Sequence, residues 1–331
     1  GIVRTPYMIS AGFLAIVGAQ AWVLARDAVR ARDELEQRVE ERTAKLAQAV
    51  EKTQQARIQI TERNELLEEA NQKMKRDLDA AANVQQALLP RRPFENDRVQ
   101  IEWKYRPSDE LGGDALNFFR IDDRHLALFI LDVTGHGVPA ALLSVSVTHA
   151  LSVGSDTGSG IRTTADDTAM DIARYPRGVA AALNHTFPMK AQGGLYITLV
   201  YGVLDMFKNQ FRYVSAGQYG PIHFRPPEAS NVAFSTGPPI GAFDDSLFEQ
   251  EVIQLQPGDR LFLHSDALME AKNPAGEQFG VERIQRLIEE GGEISLTECV
   301  NGLERAVVRW RGSENLTDDL TILALELRPG C

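Results

Sequence analysis

A long stretch without Gly or Pro constrains the fold of this chain more than any other feature. Residues 33–89 consist largely of Glu, Gln, Arg, Lys, Ala and Leu, and neither Gly nor Pro occurs among them. These residue types favour helices, and nothing in the stretch breaks one. The sequence therefore predicts one continuous helix of about sixty residues, ended by Pro90 and Pro93.

A helix of this length needs a partner for its apolar side chains, and these follow a seven-residue spacing. One row is largely apolar and consists of Val39, Leu46, Thr53, Ile60, Leu67, Met74, Ala81 and Leu88. The companion row is interrupted by Arg42, Arg63 and Asp77. One apolar row beside a mixed one predicts a weak parallel coiled coil, and hence a homodimer, that tolerates changes of register. From the pattern alone, a passive spacer and a signalling helix are equal alternatives.

The helix is preceded by a segment suited to a membrane. Residues 7–25 carry no charge and are rich in Ile, Leu, Val, Phe and Ala, which is just long enough to cross a bilayer. The alternative is a helix packed against protein. Arg26, Arg30 and Arg32 follow, so we expect the rest of the chain on the cytoplasmic side of the cell inner membrane. Because Gly rather than Met stands first, we expect the span to be the last one of a longer protein.

The composition of the chain excludes some classes of function. The chain has 331 residues, 44% of them hydrophobic, and a formal net charge of −11. This size and apolar content suffice for one large domain beside an extended segment. The negative charge argues against a nucleic-acid partner, because phosphate backbones require a basic surface. Cys299 and Cys331 are the only cysteines, so no disulfide framework or zinc site is indicated.

Residues 126–143, LALFILDVTGHGVPAALL, form the centre of the remaining chain. An apolar run with the character of a buried strand delivers Asp132 into a turn containing Gly135 and Gly137, and Pro139 suits the first turn of a following helix. A lone aspartate at such a position is most often a turn or capping residue.

Other acids repeat the pattern and change that interpretation. Asp114, Asp266 and the pair Asp318–Asp319 also border apolar, strand-like runs. Carboxylates that converge repel one another unless cations neutralise them. Because oxygen ligands without a Cys or His cluster suit hard cations, the pattern predicts Mg²⁺ or Mn²⁺.

Beyond Pro93, short apolar runs alternate with Gly, Pro, Asn and Asp turns and predict strands. The predicted strands are residues 129–131, 196–204, 211–214, 222–224 and 261–264, and the predicted helices are 138–151, 177–187, 281–290 and 296–309. Residues 152–171, rich in Gly, Ser, Thr and Asp, predict a loop. Strands with segregated helices indicate an α+β fold.

Six separated motifs resemble, in order, the metal-dependent PPM/PP2C-type serine phosphatases of the bacterial SpoIIE/RsbU branch. They are GGD at 112–114, DVTGHGVPAALL at 132–143, SAG at 215–217, GPPIG at 237–241, PGDR at 257–260 and DD at 318–319. The resemblance covers about residues 80–328 and implies an α/β/β/α sandwich of two antiparallel sheets flanked by helices. Residues 35–43 resemble the coiled linkers of bacterial transmembrane receptors, and 82–90 resemble the helix that precedes phosphatase domains of this branch. We therefore expect a span at 1–32, a signalling coiled coil at 33–90 and a phosphatase domain at 91–331.

The resemblance also implies roles for individual residues. Asp132 would contact both of two metal ions, the carbonyl of Val133 would complete one coordination sphere, and Asp114, Asp266 and Asp319 would complete the cluster. Asp132 and Asp114 would thereby be catalytic, through a metal-activated water that attacks a phosphoserine. By resemblance, the substrate would be a small STAS-type anti-sigma-factor antagonist.

Two further residues are weak candidates for binding substrate. His136 could donate a proton to the leaving serine, although it equally fits a role in the turn. Arg106 could bind phosphate, although a surface ion pair is the simpler prediction. Ser265 is predicted to be a strand-end hydroxyl rather than a nucleophile.

Three positions depart from the family pattern: Asn117, Gln218 and Ala267 stand where Asp, His and Gly are usual. Ala267 follows a predicted metal ligand, where glycine would accept backbone conformations that alanine does not. The departures leave open an alternative of a different class, a signalling scaffold that binds the same partner without turnover.

Overall fold

A computed structural model describes residues 6–152, 173–233 and 237–328, with side chains from residue 12 onward. The chain divides into two compact units, residues 1–75 and residues 76–331. Helix α1, Pro6–Gln86, is continuous, which confirms the predicted long helix. It ends three residues before the predicted stretch does, because the chain tightens into a turn there, in which the Leu88 amide donates to the Gln85 carbonyl at 3.0 Å and the Leu89 amide to the Gln86 carbonyl at 3.1 Å.

Every side chain that the structure describes between residues 12 and 77 is exposed. These include the apolar side chains of the predicted seam, such as Leu46, Ile60, Leu67 and Met74. By length and composition, the helix also contains a window apolar enough to cross a membrane, with a mean hydropathy of 1.3. This part of α1 thus has apolar side chains that no described residue of its own chain covers.

Two antiparallel sheets form the second unit. The first sheet has the strand order β1-β2-β11-β10-β7-β8, and the second has the order β3-β4-β5-β6-β9. The strands of the first sheet are β1 (Phe94–Glu95), β2 (Val99–Arg106), β7 (Ile222–Phe224), β8 (Asn231–Val232), β10 (Arg260–His264) and β11 (Leu320–Leu327). Those of the second are β3 (Ala115–Arg120), β4 (His125–Val133), β5 (Ile197–Asp205), β6 (Gln210–Ala216) and β9 (Glu251–Gln254).

Among the residues that the structure describes, five helices flank the sheets. They are α2 (Val138–Ser152), α3 (Pro176–Thr186), α4 (Ala267–Glu270), α5 (Val281–Glu290) and α6 (Leu296–Arg311). Helices α2 and α3 pack on the second sheet, whereas α6 packs on strands β2 and β11 of the first. Short 3₁₀ turns occur at Met189–Ala191 and Gly291–Glu293. The order of layers is helix, sheet, sheet, helix, as predicted.

Strand β4 explains why the central apolar run is continuous. Leu126, Leu128 and Ile130 belong to the core between the two sheets, whereas Ala127, Phe129 and Leu131 belong to the core beneath α2 and α3. Successive side chains of a strand point to opposite faces, so a strand buried on both faces is apolar throughout. The first sheet has a separate core on its outer face, beneath α4, α5 and α6.

The predicted elements are present, and their ends differ from the predicted ones by a few residues at most. The strand predicted at 129–131 runs from His125 to Val133, and the predicted helices match α2, α3, α5 and α6 within one to two residues. Strands β1, β2, β8 and β9 were not among the predicted strands, although Val99–Arg106 alternates apolar and polar residues as a half-buried strand does. Apart from Ser152, which closes α2, the loop predicted at 152–171 lies outside the described residues.

Candidate metal centre

The predicted acidic residues reach one end of the sandwich from both sheets. In the second sheet, Asp114 directly precedes β3 and Asp132 is the penultimate residue of β4. In the first sheet, Asp266 follows β10 and the pair Asp318–Asp319 precedes β11. Because β3 and β10 run antiparallel to β4 and β11, respectively, the start of one strand lies beside the end of its neighbour. The structure therefore brings all the predicted acids together.

Two of these carboxylates are buried and held by hydroxyl donors. Asp114 is 2% exposed, and its Oδ2 accepts a short hydrogen bond from the Thr321 hydroxyl. Asp319 is 5% exposed, and its Oδ1 accepts from the amide and the hydroxyl of Ser108 at 2.7 and 2.9 Å. The Asp114 amide also donates to Asp319 Oδ2 at 3.3 Å. These bonds link the loop before β3 directly to the loop before β11.

The two glycines before Asp114 allow this close approach. A Cβ atom on Gly113 would lie 2.8 Å from the Val133 carbonyl oxygen and 3.3 Å from Asp132 Oδ1. A Cβ atom on Gly112 would collide with the carboxylate of Asp319. The GGD sequence is thus required because backbone, rather than side chain, must lie against the acidic residues.

Burial and mutual repulsion disfavour the ionised forms of the carboxylates in the cluster. Burial, and then repulsion by Asp132 and Asp319, raise the pKa of Asp114 well above its usual range. Burial, and then the charge of Asp266, raise the pKa of Asp132 to about 7. The pKa values of Asp266 and Asp318 are raised as well, first by burial and then by neighbouring carboxylates. Groups in this state are stabilised by a bound cation.

The donor set fits Mg²⁺ or Mn²⁺, because it consists of carboxylate oxygens and the nearby Val133 carbonyl, all of them hard oxygen ligands. Within the described ranges, no three Asp, Glu, His or Cys side chains are already arranged around a single ion position. The fit therefore rests on the convergence and chemistry of the residues.

The weak candidates differ in their positions. His136 is exposed in a turn in which Gly135 and Gly137 have φ angles of 89° and 80°. It lines a cleft of about 390 Å³ together with Ser108, Asp318 and Asp319, so it lies at the rim of the acidic cluster.

Arg106 does not lie at this rim and instead forms a surface ion pair. Its Nη2 contacts Glu314 Oε2 at 2.5 Å, and its Nη1 lies 3.8 Å from Glu304 Oε1. The simpler prediction for Arg106 is therefore the one that the structure shows.

The departures from the family pattern are accommodated. Gln218 is buried, accepts from the Thr198 hydroxyl at 2.9 Å and donates to the His264 carbonyl at 3.2 Å. Ala267 begins helix α4, and Asp266 before it has φ −64° and ψ −29°. The backbone therefore enters an ordinary right-handed helix, and the strain expected of alanine at position 267 is absent. Asn117 donates from Nδ2 to the Leu88 carbonyl at 3.3 Å.

Several residues of the quoted motifs have structural rather than chemical roles. Ser265 donates to the Asp319 carbonyl at 2.9 Å and accepts from the Thr321 amide at 3.0 Å, as a strand-end hydroxyl does. In the PGDR motif, buried Asp259 binds Arg225, and Arg260 binds the carbonyl of Gly291 at 2.7 Å. These residues join loops to β10 at the end remote from Asp266.

Sequence reasoning missed Ser108, Thr321 and Gln85. Ser108 and Thr321 hold the acidic residues through hydroxyl bonds, and Gln85 contacts the backbone of Gly112. A Ser or Thr near an acid is common in any sequence, so Ser108 and Thr321 could have been identified only from the pairing of β2 with β11, which places Thr321 opposite Tyr105.

Two stacked antiparallel sheets, flanked by helices and carrying carboxylates at one shared end, define the class of PP2C-type phosphatase domains. Residues 122–328 match the family described as Stage II sporulation protein E (SpoIIE). The chain belongs to this SpoIIE family of PP2C-type serine/threonine phosphatases. The matched region contains Asp132, Asp266 and Asp319, and Asp114 precedes it.

Individual relatives agree with this assignment. The chain is 27% identical to the phosphoserine phosphatase RsbU of Bacillus subtilis over 259 residues, 77% of this chain and 71% of RsbU. It is 29% identical to the phosphoserine phosphatase RsbP of the same organism over 196 residues, 59% of this chain but only 46% of RsbP. The chain thus spans about half the length of RsbP.

Solved structures share the fold. The SiaA-PP2C domain of Pseudomonas aeruginosa superposes with a TM-score of 0.64 at 20% identity, covering 78% of this chain and 98% of that domain. The phosphatase domain of SpoIIE from Bacillus subtilis, with a fragment of its regulatory domain, gives a TM-score of 0.57 at 19% identity and covers 70% of this chain and 62% of that one. The predicted sandwich is therefore confirmed.

Proposed function

We propose that residues 91–331 form a serine phosphatase, dependent on two Mn²⁺ or Mg²⁺ ions, that acts on a phosphorylated protein regulator. The observation that carries this proposal is the convergence of buried carboxylates from both sheets, with pKa values raised by burial and by one another. Relatives named phosphoserine phosphatases support the substrate class. By resemblance to the RsbU branch, we propose a small STAS-type anti-sigma-factor antagonist as the substrate.

In this proposal the two ions would be held by Asp132, the Val133 carbonyl, Asp114, Asp266 and Asp319, with Asp132 contacting both. When bound, the ions supply a water of lowered pKa and neutralise charge on the phosphate. The chain's own residues contribute by positioning the proposed metal ligands. Thr321 fixes the Asp114 carboxylate, and Ser108 fixes that of Asp319. Their hydrogen bonds hold the ligands against the repulsion between them.

For His136 we propose only a position at the rim of the cleft through which the substrate phosphate would enter. Its exposed ring lies in the cleft that Asp318 and Asp319 also line, within reach of a leaving serine oxygen in that cleft. Arg106 is not proposed to bind phosphate, because Glu314 and Glu304 occupy its guanidinium.

We propose in addition that residues 7–25 span the inner membrane, with the catalytic domain in the cytoplasm, and that residues 33–90 form a homodimeric coiled coil that controls activity. The exposed apolar side chains of α1, such as Phe13, Leu14, Leu46 and Leu67, support covering by lipid and by a second copy. The proposed domain limits are 1–32, 33–90 and 91–331.

The test compares Asp132→Ala with Asp123→Ala in the full chain. Asp132 is a proposed bridging ligand, whereas the Asp123 side chain is fully exposed and forms only a surface pair with Arg120. We expect Asp132→Ala to lose Mn²⁺ binding in calorimetry, because a proposed ligand is removed, and to lose phosphoserine hydrolysis by orders of magnitude, because the metal-activated water goes with the ion. Asp123→Ala should retain both.

If Asp132→Ala hydrolysed a phosphoserine protein at the wild-type rate, the metal assignment would be wrong. The scaffold alternative predicts a different result: the wild-type chain would bind the phosphorylated partner but show neither Mn²⁺ binding nor turnover.

A further inference from the structure

A cavity of about 800 Å³ lies beside the metal centre. Its volume is within the range of about 300–1,000 Å³ that ligand-binding pockets occupy. Asp266, a proposed metal ligand, forms part of its wall. Whatever fills the cavity is therefore next to the phosphate that the metal ions would hold. The residues that flank the phosphoserine in a protein substrate are placed to do so.

Part of the lining is apolar. Met269 of α4 is 7% exposed and belongs to the outer core of the first sheet, and Val232 of β8 and Val281 of α5 pack against that core. The Tyr219 side chain, 41% exposed, adds an aromatic surface. Surfaces of this kind hold the aliphatic stem of a long side chain whose polar end lies elsewhere.

The charge of the lining is negative. Its acidic residues are Asp266 and Glu270, and no Lys, Arg or His of the described chain lines it. A metal ion bound as proposed would neutralise Asp266, which leaves the charge of Glu270. The Glu270 side chain is exposed, and the Tyr219 hydroxyl lies 3.5 Å from its Oε1, at the long limit of a hydrogen bond. A carboxylate has acceptor positions for further donors, so Glu270 suits a cationic partner.

The distance between Glu270 and the metal centre limits where that partner can lie in a substrate. The Glu270 amide donates to the Asp266 carbonyl at 2.8 Å, which places Glu270 one helical turn after the proposed ligand. Four residues of helix advance about 6 Å. An extended peptide covers about 7 Å with two residues, and side chains two residues apart point to the same side. A side chain two positions from the phosphoserine matches this distance.

We propose that this cavity is a specificity pocket for a Lys or Arg side chain of the protein substrate, two residues from the phosphoserine. Glu270 accepts the charged group, and Met269 and Val281 contact the stem. The inference rests on the proposed function and adds a feature of the substrate that the site selects. The side chain is bound but takes no part in the chemical step, so it lowers KM and leaves kcat unchanged.

The experiment uses synthetic phosphoserine peptides and the full chain, purified in detergent, at saturating Mn²⁺. In an alanine background, a single Lys is moved from three residues before the phosphoserine to three residues after it. Each peptide is compared with its Nε-acetyl-lysine counterpart, which keeps the stem and loses the charge. We expect Lys two residues from the phosphoserine, on one side of it, to raise kcat/KM roughly 5-fold or more over acetyl-lysine, through KM.

Three variants test the role of Glu270 in this ratio. Glu270→Gln should abolish the preference for Lys. Glu270→Lys should invert it, so that a peptide with Glu at the same position is hydrolysed better than the Lys peptide. Glu290→Gln is the matched control and should keep the wild-type ratio, because Glu290 is exposed at the other end of α5 and does not line the cavity. Each ratio compares two peptides on one protein, so a loss of folded or metal-loaded protein does not alter it.

The outcomes separate this pocket from the proposed function. Equal kcat/KM for the Lys and acetyl-lysine peptides at every position, or an unchanged preference in Glu270→Gln, would overturn the pocket. Hydrolysis of p-nitrophenyl phosphate, which has no peptide chain, tests the phosphatase itself. If the wild-type chain hydrolysed neither this compound nor any peptide, the proposed function would be wrong and the pocket with it. Hydrolysis without a preference for Lys would overturn only the pocket.

Discussion

The PGDR motif offers a sharp test of the distinction between structural and chemical residues. Asp259 is 1% exposed. Its carboxylate accepts from Arg225 Nη2 at 2.9 Å, from the Gln256 amide at 2.9 Å and from His223 Nε2, which lies 2.8 Å away. Arg225 Nε adds a bond at 3.0 Å. One buried carboxylate therefore joins three chain segments.

The cost of Asp259→Ala follows from these contacts. Removing one partner of a buried ion pair costs about 3–5 kcal/mol when the remaining charge stays buried. The Arg225 and His223 side chains are 26% and 18% exposed and can reach water after the substitution. We therefore expect a loss near the lower limit, about 3 kcal/mol. For a domain of this size the melting temperature should fall by roughly 6–12 °C.

The assay is thermal unfolding followed by circular dichroism, together with phosphoserine hydrolysis at saturating Mn²⁺. Asp259 and Asp266 lie at opposite ends of β10, so hydrolysis by the folded variant should be unchanged. Asp244→Ala is the control, because the pair of Asp244 with Lys190 is exposed on both sides and contributes less than about 1 kcal/mol. A loss in Asp259→Ala no larger than in this control, or a collapse of turnover in the folded variant, would refute the structural role.

The pH dependence provides a second check with a defined sign. Burial raises the pKa of Asp259, but hydrogen bonds from Arg225, Gln256 and His223 outweigh it and leave the pKa below its usual value. A lowered pKa in the folded state stabilises the protein above the unfolded pKa of about 3.9. The stability difference between wild type and Asp259→Ala should therefore be full near neutral pH and shrink as the pH falls below about 4 through the folded pKa.

Three further substitutions probe the site and its surroundings. Gly113→Ala should weaken Mn²⁺ binding in calorimetry ~10-fold or more, because its Cβ would lie 2.8 Å from the Val133 carbonyl; unchanged affinity would show that this contact is unimportant. Gly302→Ala, in the middle of α6 with nothing within 4 Å of the added Cβ, should instead raise stability by about 1 kcal/mol and leave activity unchanged. Ala267→Gly should not lower hydrolysis, and it should reduce the free energy of unfolding by about 1 kcal/mol because it removes a buried methyl group at the start of α4. A tenfold loss of activity would show that the site is built around alanine.

The positions of the acids could be predicted because each borders a strand whose burial leaves a clear pattern. The run around β4 is apolar on both faces, so Asp132 is conspicuous at its end. Asp266 and Asp319 stand out beside the buried strands β10 and β11 for the same reason. Asp114 was recognisable through its two glycines, and the structure shows that these glycines are needed for close approach to other chain segments.

What supports the acids could not be predicted, because it depends on register between distant segments. Thr321 reaches Asp114 across 207 positions, and Ser108 reaches Asp319 across 211. Gln85 belongs to a helix whose other polar side chains are exposed, so its composition gives no sign of a buried contact. Ala267 illustrates the opposite case, in which the sequence suggested strain and the helical backbone at that position removes it.

The same contacts limit how far the helix alone can control this centre. Two hydrogen bonds from Gln85 to Gly112 contribute about 1–3 kcal/mol in all, which corresponds to a change of roughly 5–150-fold in metal affinity. A switch from 1:99 to 99:1 between two states needs about 5.5 kcal/mol. If the helix controls activity as proposed, loss of the Gln85 contact would therefore change metal affinity in part and would not by itself turn the enzyme fully on or off. The Asn117 contact with Leu88 lies on the same turn, so a movement that breaks both ties comes closer to that limit. A complete switch would also require the turn to repack. Leu88 and Leu89 are both partly buried in this turn. Substituting them is therefore the next test of whether control is graded or all-or-none.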